Sequence, residues 1–175
     1  GKHALCFGSG LAATDAVMKL LAPGDEVIST NDLYGGTYRI FTKVFQPYGI
    51  SFHFMGMSDL EEVEQQINAN TRMLWIETPT NPLLNVIDIE ACAALCRKHN
   101  LLLVVDNTFA SPYLQNPLTL GADLVVHSAT KYLGGHSDIV AGVVAGSKEH
   151  MDSIKEFEGS LLGGILDPFA SWLMI

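Results

Sequence analysis

The chain has 175 residues, 48% of them hydrophobic and 17% charged, and carries a formal net charge of −9. That length and apolar content are enough for one folded domain with its own core and exclude a disordered chain. The acidic balance without a Lys/Arg cluster argues against a nucleic-acid binder, and no apolar run approaches the roughly 18 residues of a membrane span.

Short apolar runs alternate with helical stretches along the chain. Ala4–Phe7 reads as a strand ending in Gly8-Ser9-Gly10, and Leu11 to Leu21 as a helix with Ala13, Val17 and Leu20 on one stripe. Pro23-Gly24 punctuates the chain before a strand at Glu26–Thr30. Thr37–Tyr48 is predicted helical and Ile50–Phe54 extended. Ser58-Asp59-Leu60-Glu61 reads as a capping box, with Ser58 as the cap of a helix reaching about Ile67. Arg72–Glu77 is the next strand and runs into the Pro-rich turn Thr78-Pro79-Thr80-Asn81-Pro82.

Ile89, Cys92, Ala93 and Cys96 then recur at helical spacing, which makes both cysteines core fillers, and Asn100 is the expected stop. Leu101–Val105 is a strand ending at Asp106, Leu124–His127 and Val140–Ala145 are two more, and Lys148–Glu158 is a last helix. Strands apolar throughout and separated by helices predict a three-layer αβα domain with a mostly parallel sheet covered on both faces. Cys6, Cys92 and Cys96 cannot build a disulfide framework, so the expected setting is cytoplasmic. Trp172-Leu173-Met174-Ile175 ends the sequence midway through a predicted helix, and the expectation is therefore a piece of a longer chain.

In parallel α/β sheets ligands collect beyond the carboxyl ends of the strands. The tips that follow these strands are rich in polar groups. Gly8-Ser9-Gly10 before a helix is a candidate anion site, because its backbone allows close approach and the helix start offers free N–H groups. Gly8-Ser9-Gly10-Leu11-Ala12-Ala13 also fits a dinucleotide fingerprint, with Asp32 closing the next strand roughly 20 residues on. Ser128-Ala129-Thr130-Lys131 matches the S-x-x-K motif of some serine acyl transferases but lacks its companion motifs. Lys131, just past a buried strand, is a candidate nucleophilic amine that would lose solvation there, and the alternative is a lysine snorkelling at the sheet edge. Asp106, ending an apolar strand, wants a cationic partner such as a protonated pyridine nitrogen, a metal or an arginine. His127, His136 and Asp138 match no common metal site, so no metal is expected.

Together these tips resemble the pyridoxal-phosphate (PLP) enzymes of cysteine and methionine metabolism, of the aspartate-aminotransferase fold type. The stretches that carry the resemblance are Gly8–Ala13, Leu33-Tyr34-Gly35-Gly36-Thr37, Glu77–Pro82, Val105-Asp106-Asn107-Thr108-Phe109 and Ser128-Ala129-Thr130-Lys131-Tyr132-Leu133-Gly134-Gly135-His136-Ser137-Asp138. The resemblance implies that residues 1–175 are the large cofactor-binding domain, with an N-terminal arm before it and a smaller C-terminal domain after it. It implies that Lys131 forms the Schiff base and shuttles protons, that Asp106 pairs with the ring nitrogen, and that Tyr34 stacks on the ring and takes a proton from the incoming amine. Asn81 would donate to the ring oxygen and Thr108 lie beside the ring. Gly10 and Leu11 N–H groups, with the Ser128 and Thr130 hydroxyls, would hold the phosphate. The implied activity is a carbon–sulfur lyase acting on cystathionine or a related sulfur amino acid by α,γ-elimination. Cystathionine γ-synthase, O-acylhomoserine sulfhydrylase and cystathionine β-lyase remain the alternatives, with an inactive cofactor-binding fragment or an NAD-binding Rossmann domain as readings of a different class. Methionine-lyase members carry a cysteine where this chain has Gly36, and the implied assembly is a homo-oligomer, an active-site-sharing dimer within a tetramer.

Overall fold

In a computed structural model, residues 3–157 and 164–175 are described. Seven strands form one sheet in the order β1-β7-β6-β5-β4-β2-β3: β1 His3–Phe7, β2 Glu26–Thr30, β3 Ser51–Met55, β4 Thr71–Glu77, β5 Leu102–Asp106, β6 Leu124–Ser128 and β7 Gly142–Gly146. The neighbours from β3 through β6 run parallel, and β7 is antiparallel to both β6 and β1. This is the expected α/β architecture, with one reversed strand near its edge.

Alternation along the strands builds two cores on opposite faces of the sheet. Val27, Trp75, Val104 and Val126 face one side, where they pack against Ala13 and Val17 of α1 (Gly10–Met18) and against Phe41 and Phe45. The latter two belong to a π-helical turn, Phe41–Phe45, that follows α2 (Gly35–Ile40). Ile28, Leu74, Ile76, Leu103 and Val105 face the other side. There they meet Val63 of α3 (Leu60–Gln66) and Ile89, Cys92, Ala93 and Cys96 of α4 (Ile89–His99). Both α4 cysteines are buried core fillers, and burial pushes each thiol up to about 12. The third layer is thus present, and the apolar stripe read from the sequence is the buried face of α4.

Three local expectations change. The predicted helix Thr37–Tyr48 begins two residues earlier and loosens into the π-helical turn, because Gly35 and Gly36 enter the first turn beside Tyr34. The cap of α3 is Asp59 rather than Ser58: its Oδ1 accepts from the Glu61 and Glu62 N–H groups at 2.9 and 3.3 Å. The backbone is still extended at Asp59 and turns helical only after it, which places the Asp59 side chain rather than that of Ser58 on the free donors. α1 stops at Met18, short of Leu21, ahead of the Pro23-Gly24 break. Asn100 ends α4 in the left-handed region at φ 55°, as expected of a stop. The predicted helix Lys148–Glu158 is α6, Lys148–Phe157, and Glu158 lies outside the described residues. The helix expected around Trp172 is α7 (Pro168–Leu173), capped by Asp167, whereas the sequence reading missed α5 (Ser111–Leu114). No helix among the described residues is long and apolar enough to cross a membrane.

Candidate active site

The parallel strands end on one edge of the sheet, and their last residues carry the polar groups. Glu77 and Asp106 are register partners at the ends of β4 and β5. Side-chain alternation puts Glu77 on the face of Trp75, Asp106 on the face of Val104 and Ser128 on the face of Val126, the face on which α1 packs. The start of α1 points into the same region. A cavity of ≈ 510 Å³ opens between them, and Gly10, Leu11, Tyr34, Asn81, Asp106, Thr108, Ser128, Thr130 and Lys131 all line it. Every residue to which the family resemblance gives a role is therefore gathered at one place.

The floor of the cavity carries two buried carboxyls. Asp106 is buried, and its Oδ1 accepts from the Thr108 N–H at 3.0 Å and from Thr108 Oγ1 at 2.6 Å. Thr108 Oγ1 in turn accepts from the Ser128 N–H at 2.8 Å, which ties the tips of β5 and β6 together. Burial pushes the Asp106 carboxyl upward against the opposing pull of Thr108. Glu77 beside it is pushed up to about 8 by burial and by the adjacent Asp106 carboxyl, opposed by a hydrogen bond from the Tyr34 backbone N–H at 2.8 Å. Among the described residues no lysine or arginine pairs with either carboxyl.

The wall at α1 is built for an anion. Ser9 caps the helix by accepting from the Ala12 N–H at 3.0 Å, and the N–H groups of Gly10 and Leu11 have no acceptor within the helix. A Cβ at Gly10 would stand 2.8 Å from the Ser128 Cβ, so only glycine lets the helix start sit this close to β6. The opposite wall carries Tyr34 at the head of α2, with its ring folded over Gly36. A Cβ at Gly36 would fall 2.2 Å from the Tyr34 Cε1, so a cysteine there would displace the ring.

Lys131 lies in the turn after β6, where its N–H donates to the Ser128 carbonyl at 3.1 Å. It is exposed at the cavity rather than desolvated, which corrects the expectation for a lysine at a buried strand tip: the turn carries it clear of the sheet. The same turn answers the S-x-x-K reading, since Ser128 ends a strand and opens no helix. Thr130 lines the cavity while its hydroxyl exchanges hydrogen bonds with the Ala141 carbonyl and N–H at 3.2 and 3.0 Å. Asp32 does not line the cavity. Its Oδ2 accepts from Thr80 Oγ1 and from the Leu83 N–H, so the carboxylate that completed a dinucleotide fingerprint holds a loop instead. His127 projects to the opposite face into a separate cavity of ≈ 190 Å³, and burial pushes it down to about 4. Among the described residues no three His, Cys, Asp or Glu side chains gather to hold a metal.

Glu77, Thr14, Thr37 and Phe109 also line the cavity, and the sequence reading gave none of them a role. Glu77 carried the same signal as Asp106, a carboxylate closing an apolar strand. Thr14 stands one turn behind Gly10, whose carbonyl it binds at 3.2 Å, a position that helical spacing could have flagged.

The model of the Cys/Met metabolism PLP-dependent enzyme family matches residues 1–175. The chain belongs to this family. Within the PLP-dependent family it is 49% identical over 174 residues to a probable cystathionine gamma-synthase of Herpetosiphon aurantiacus, covering 99% of the chain and 54% of that protein. It is 50% identical over 175 residues to the cystathionine gamma-lyase of Bacillus subtilis (strain 168), covering 100% of the chain and 46% of that enzyme. The fold superposes on the crystal structure of cystathionine gamma-lyase from Lactobacillus plantarum complexed with L-serine. The TM-score is 0.95 at 45% identity, over 98% of this chain and 45% of that one. The chain thus spans about half the length of the curated relatives it matches. The cavity fits the group named by the family: a buried carboxyl without a cation at its floor, a glycine cradle that a Cβ would fill, free helix N–H groups, and an accessible amine.

Proposed function

We propose that the protein is a PLP-dependent carbon–sulfur lyase that cleaves cystathionine or a related sulfur amino acid by α,γ-elimination, with residues 1–175 as its cofactor-binding large domain. The observation that carries this reading is the convergence of Lys131, Asp106, Tyr34, Asn81 and the start of α1 on one cavity. Bound there, pyridoxal phosphate supplies an aldehyde that condenses with amines and a ring that withdraws electrons from the substrate α-carbon. Asp106 holds a positive charge at the cavity floor, which its burial makes strongly favourable. The Gly10 and Leu11 N–H groups and the Ser128 hydroxyl bind the phosphate, helped by the positive end of α1, with Thr130 bracing the turn. Asn81 would donate to the ring oxygen, and Thr108, which fixes Asp106, would lie beside the ring. Tyr34 takes a proton from the incoming amine at its phenolic oxygen. Lys131 holds the cofactor at Nζ and afterwards carries protons at the same atom between substrate carbons.

γ-Synthase, O-acylhomoserine sulfhydrylase and β-lyase chemistry start from the same α-carbon deprotonation, so the same residues serve them. A small sulfur amino acid is the substrate class. A homo-oligomer is supported by the exposed apolar side chains Leu83, Leu84, Val86, Tyr113 and Leu114. A reducing, cytoplasmic setting is supported by three free thiols. Borohydride reduction followed by peptide mapping tests the reading: the cofactor should remain on Lys131, and a label elsewhere or none overturns it. Product identification from cystathionine, then from cysteine with an acylated homoserine, separates lyase from synthase.

A further inference from the structure

Among the acidic and basic side chains lining the cavity, the proposed function uses Asp106 and Lys131 and leaves Glu77 without a role. Glu77 ends β4 directly beside Asp106 on β5 and is buried. Its Oε2 accepts the Tyr34 backbone N–H at 2.8 Å, reaching across to the loop after β2. The two loops are also tied in the reverse direction, since Asp32 of the loop after β2 accepts from Thr80 Oγ1 and, at 3.1 Å, from the Leu83 N–H of the loop after β4. These ties flank Tyr34 on one loop and Asn81 on the other. Two carboxyls side by side and shielded from water do not both ionise. Asp106 accepts two hydrogen bonds from Thr108 and Glu77 one from an amide, so the charge settles on Asp106.

We propose that Glu77 is a positioning residue: as the uncharged member of this carboxyl pair it accepts the Tyr34 amide, fixes the aromatic wall to the tip of β4, and leaves Asp106 as the single anion for the cofactor's ring nitrogen. The inference rests on the cofactor reading of the cavity. The shift of Glu77 to about 8 agrees with it. The titratable groups around Glu77 are Asp106 on β5, Asp32 in the loop after β2 and Tyr34 at the head of α2, with Lys131 in the turn after β6 lining the same cavity.

The test compares wild type, Glu77→Gln and Glu77→Leu in the intact protein loaded with pyridoxal phosphate, reading the cofactor Kd and its visible circular dichroism. Infrared difference spectra at pH 7 report the C=O stretch of protonated carboxyls. Gln keeps a neutral oxygen acceptor, so its Kd should stay within about threefold of wild type, whereas Leu orphans the Tyr34 amide and should weaken binding about tenfold or more and change the dichroism. A protonated-carboxyl band present in wild type should be missing from Glu77→Gln. A Gln variant as weak as Leu, a Leu variant with wild-type Kd and dichroism, or identical infrared spectra of wild type and Gln would each overturn the proposal. Should the Leu variant fail to fold, the Gln Kd and the infrared band decide alone. Borohydride labelling reports separately on the cofactor: no label on Lys131 in wild type overturns the cofactor reading itself, while a normal label with indistinguishable Gln and Leu variants overturns only the role of Glu77.

Discussion

Buried glutamates stand at opposite ends of the same strand pair, and they are treated differently. Glu26 opens β2, and its carboxylate is surrounded by donors: Asn68 Nδ2 at 2.7 Å, Thr71 Oγ1 at 2.8 Å and His53 Nε2 at 2.9 Å. Glu77 closes the neighbouring β4, with one backbone amide on its carboxyl and a second carboxyl beside it. Burial is nearly equal, at 7% and 4% exposure, so burial does not separate structure from function here. The supply of donors does. A fully bonded carboxylate ties three strands together, whereas an under-bonded pair facing a cavity is an electrostatic demand that a cationic ligand can meet.

The contrast breaks most visibly if chemistry and folding can be lost separately. Lys131→Ala at the cavity should cut product formation by on the order of 10²–10⁴-fold while leaving the thermal midpoint in place, because the side chain is exposed. Equal loss of stability would show that the turn after β6 is structural. Glu26→Ala at the other end should do the reverse, orphaning the donors of Asn68 and Thr71 and lowering stability by about 2–4 kcal/mol in urea titrations, with borohydride labelling of Lys131 retained. A variant that is stable but unlabelled would mean that the two ends are coupled.

Acidity sharpens the same contrast. An unfolded Glu77 releases its proton near 4.5 and the folded one near about 8, so between these values the native state holds the extra proton. Stability should therefore fall as pH rises from about 5 to about 8, by at most about 1.4 kcal/mol per pH unit, and Glu77→Gln should flatten that limb in melts recorded against pH. His127 acts oppositely: folded it titrates near about 4, against an ordinary 6.5, so stability is lost as pH falls through that window. The smallest effect belongs to the cap of α1. Ser9→Ala removes the bond to the Ala12 N–H and should cost about 1 kcal/mol, with a measurable weakening of phosphate affinity by calorimetry.

Much of this was legible from residue order. The apolar run that forms β5 and the core face of α4 follow from periodicity alone, because a parallel sheet buried on both faces demands continuous apolar strands. The strand tips named Lys131, Asp106 and Tyr34 through residue type and through likeness to a family with that sequence of motifs. Less legible was whatever depends on competition between near neighbours. Ser58 and Asp59 both qualify as caps, and only the backbone at the start of α3 chose Asp59. Asp32 satisfied a dinucleotide spacing until its position showed it bonded to Thr80 and Leu83.

The sequence by itself determined the layers, the family and the residues that gather at the strand ends, since periodicity and motif order are local properties of the chain. Only the tertiary structure decided how those residues share charge. Glu77 and Asp106 are far apart in sequence and become neighbours through strand pairing, and their ionisation depends on water excluded by everything packed around them. Solvation is a property of the assembled fold, so no reading of either residue alone could have shown which carboxyl keeps its proton.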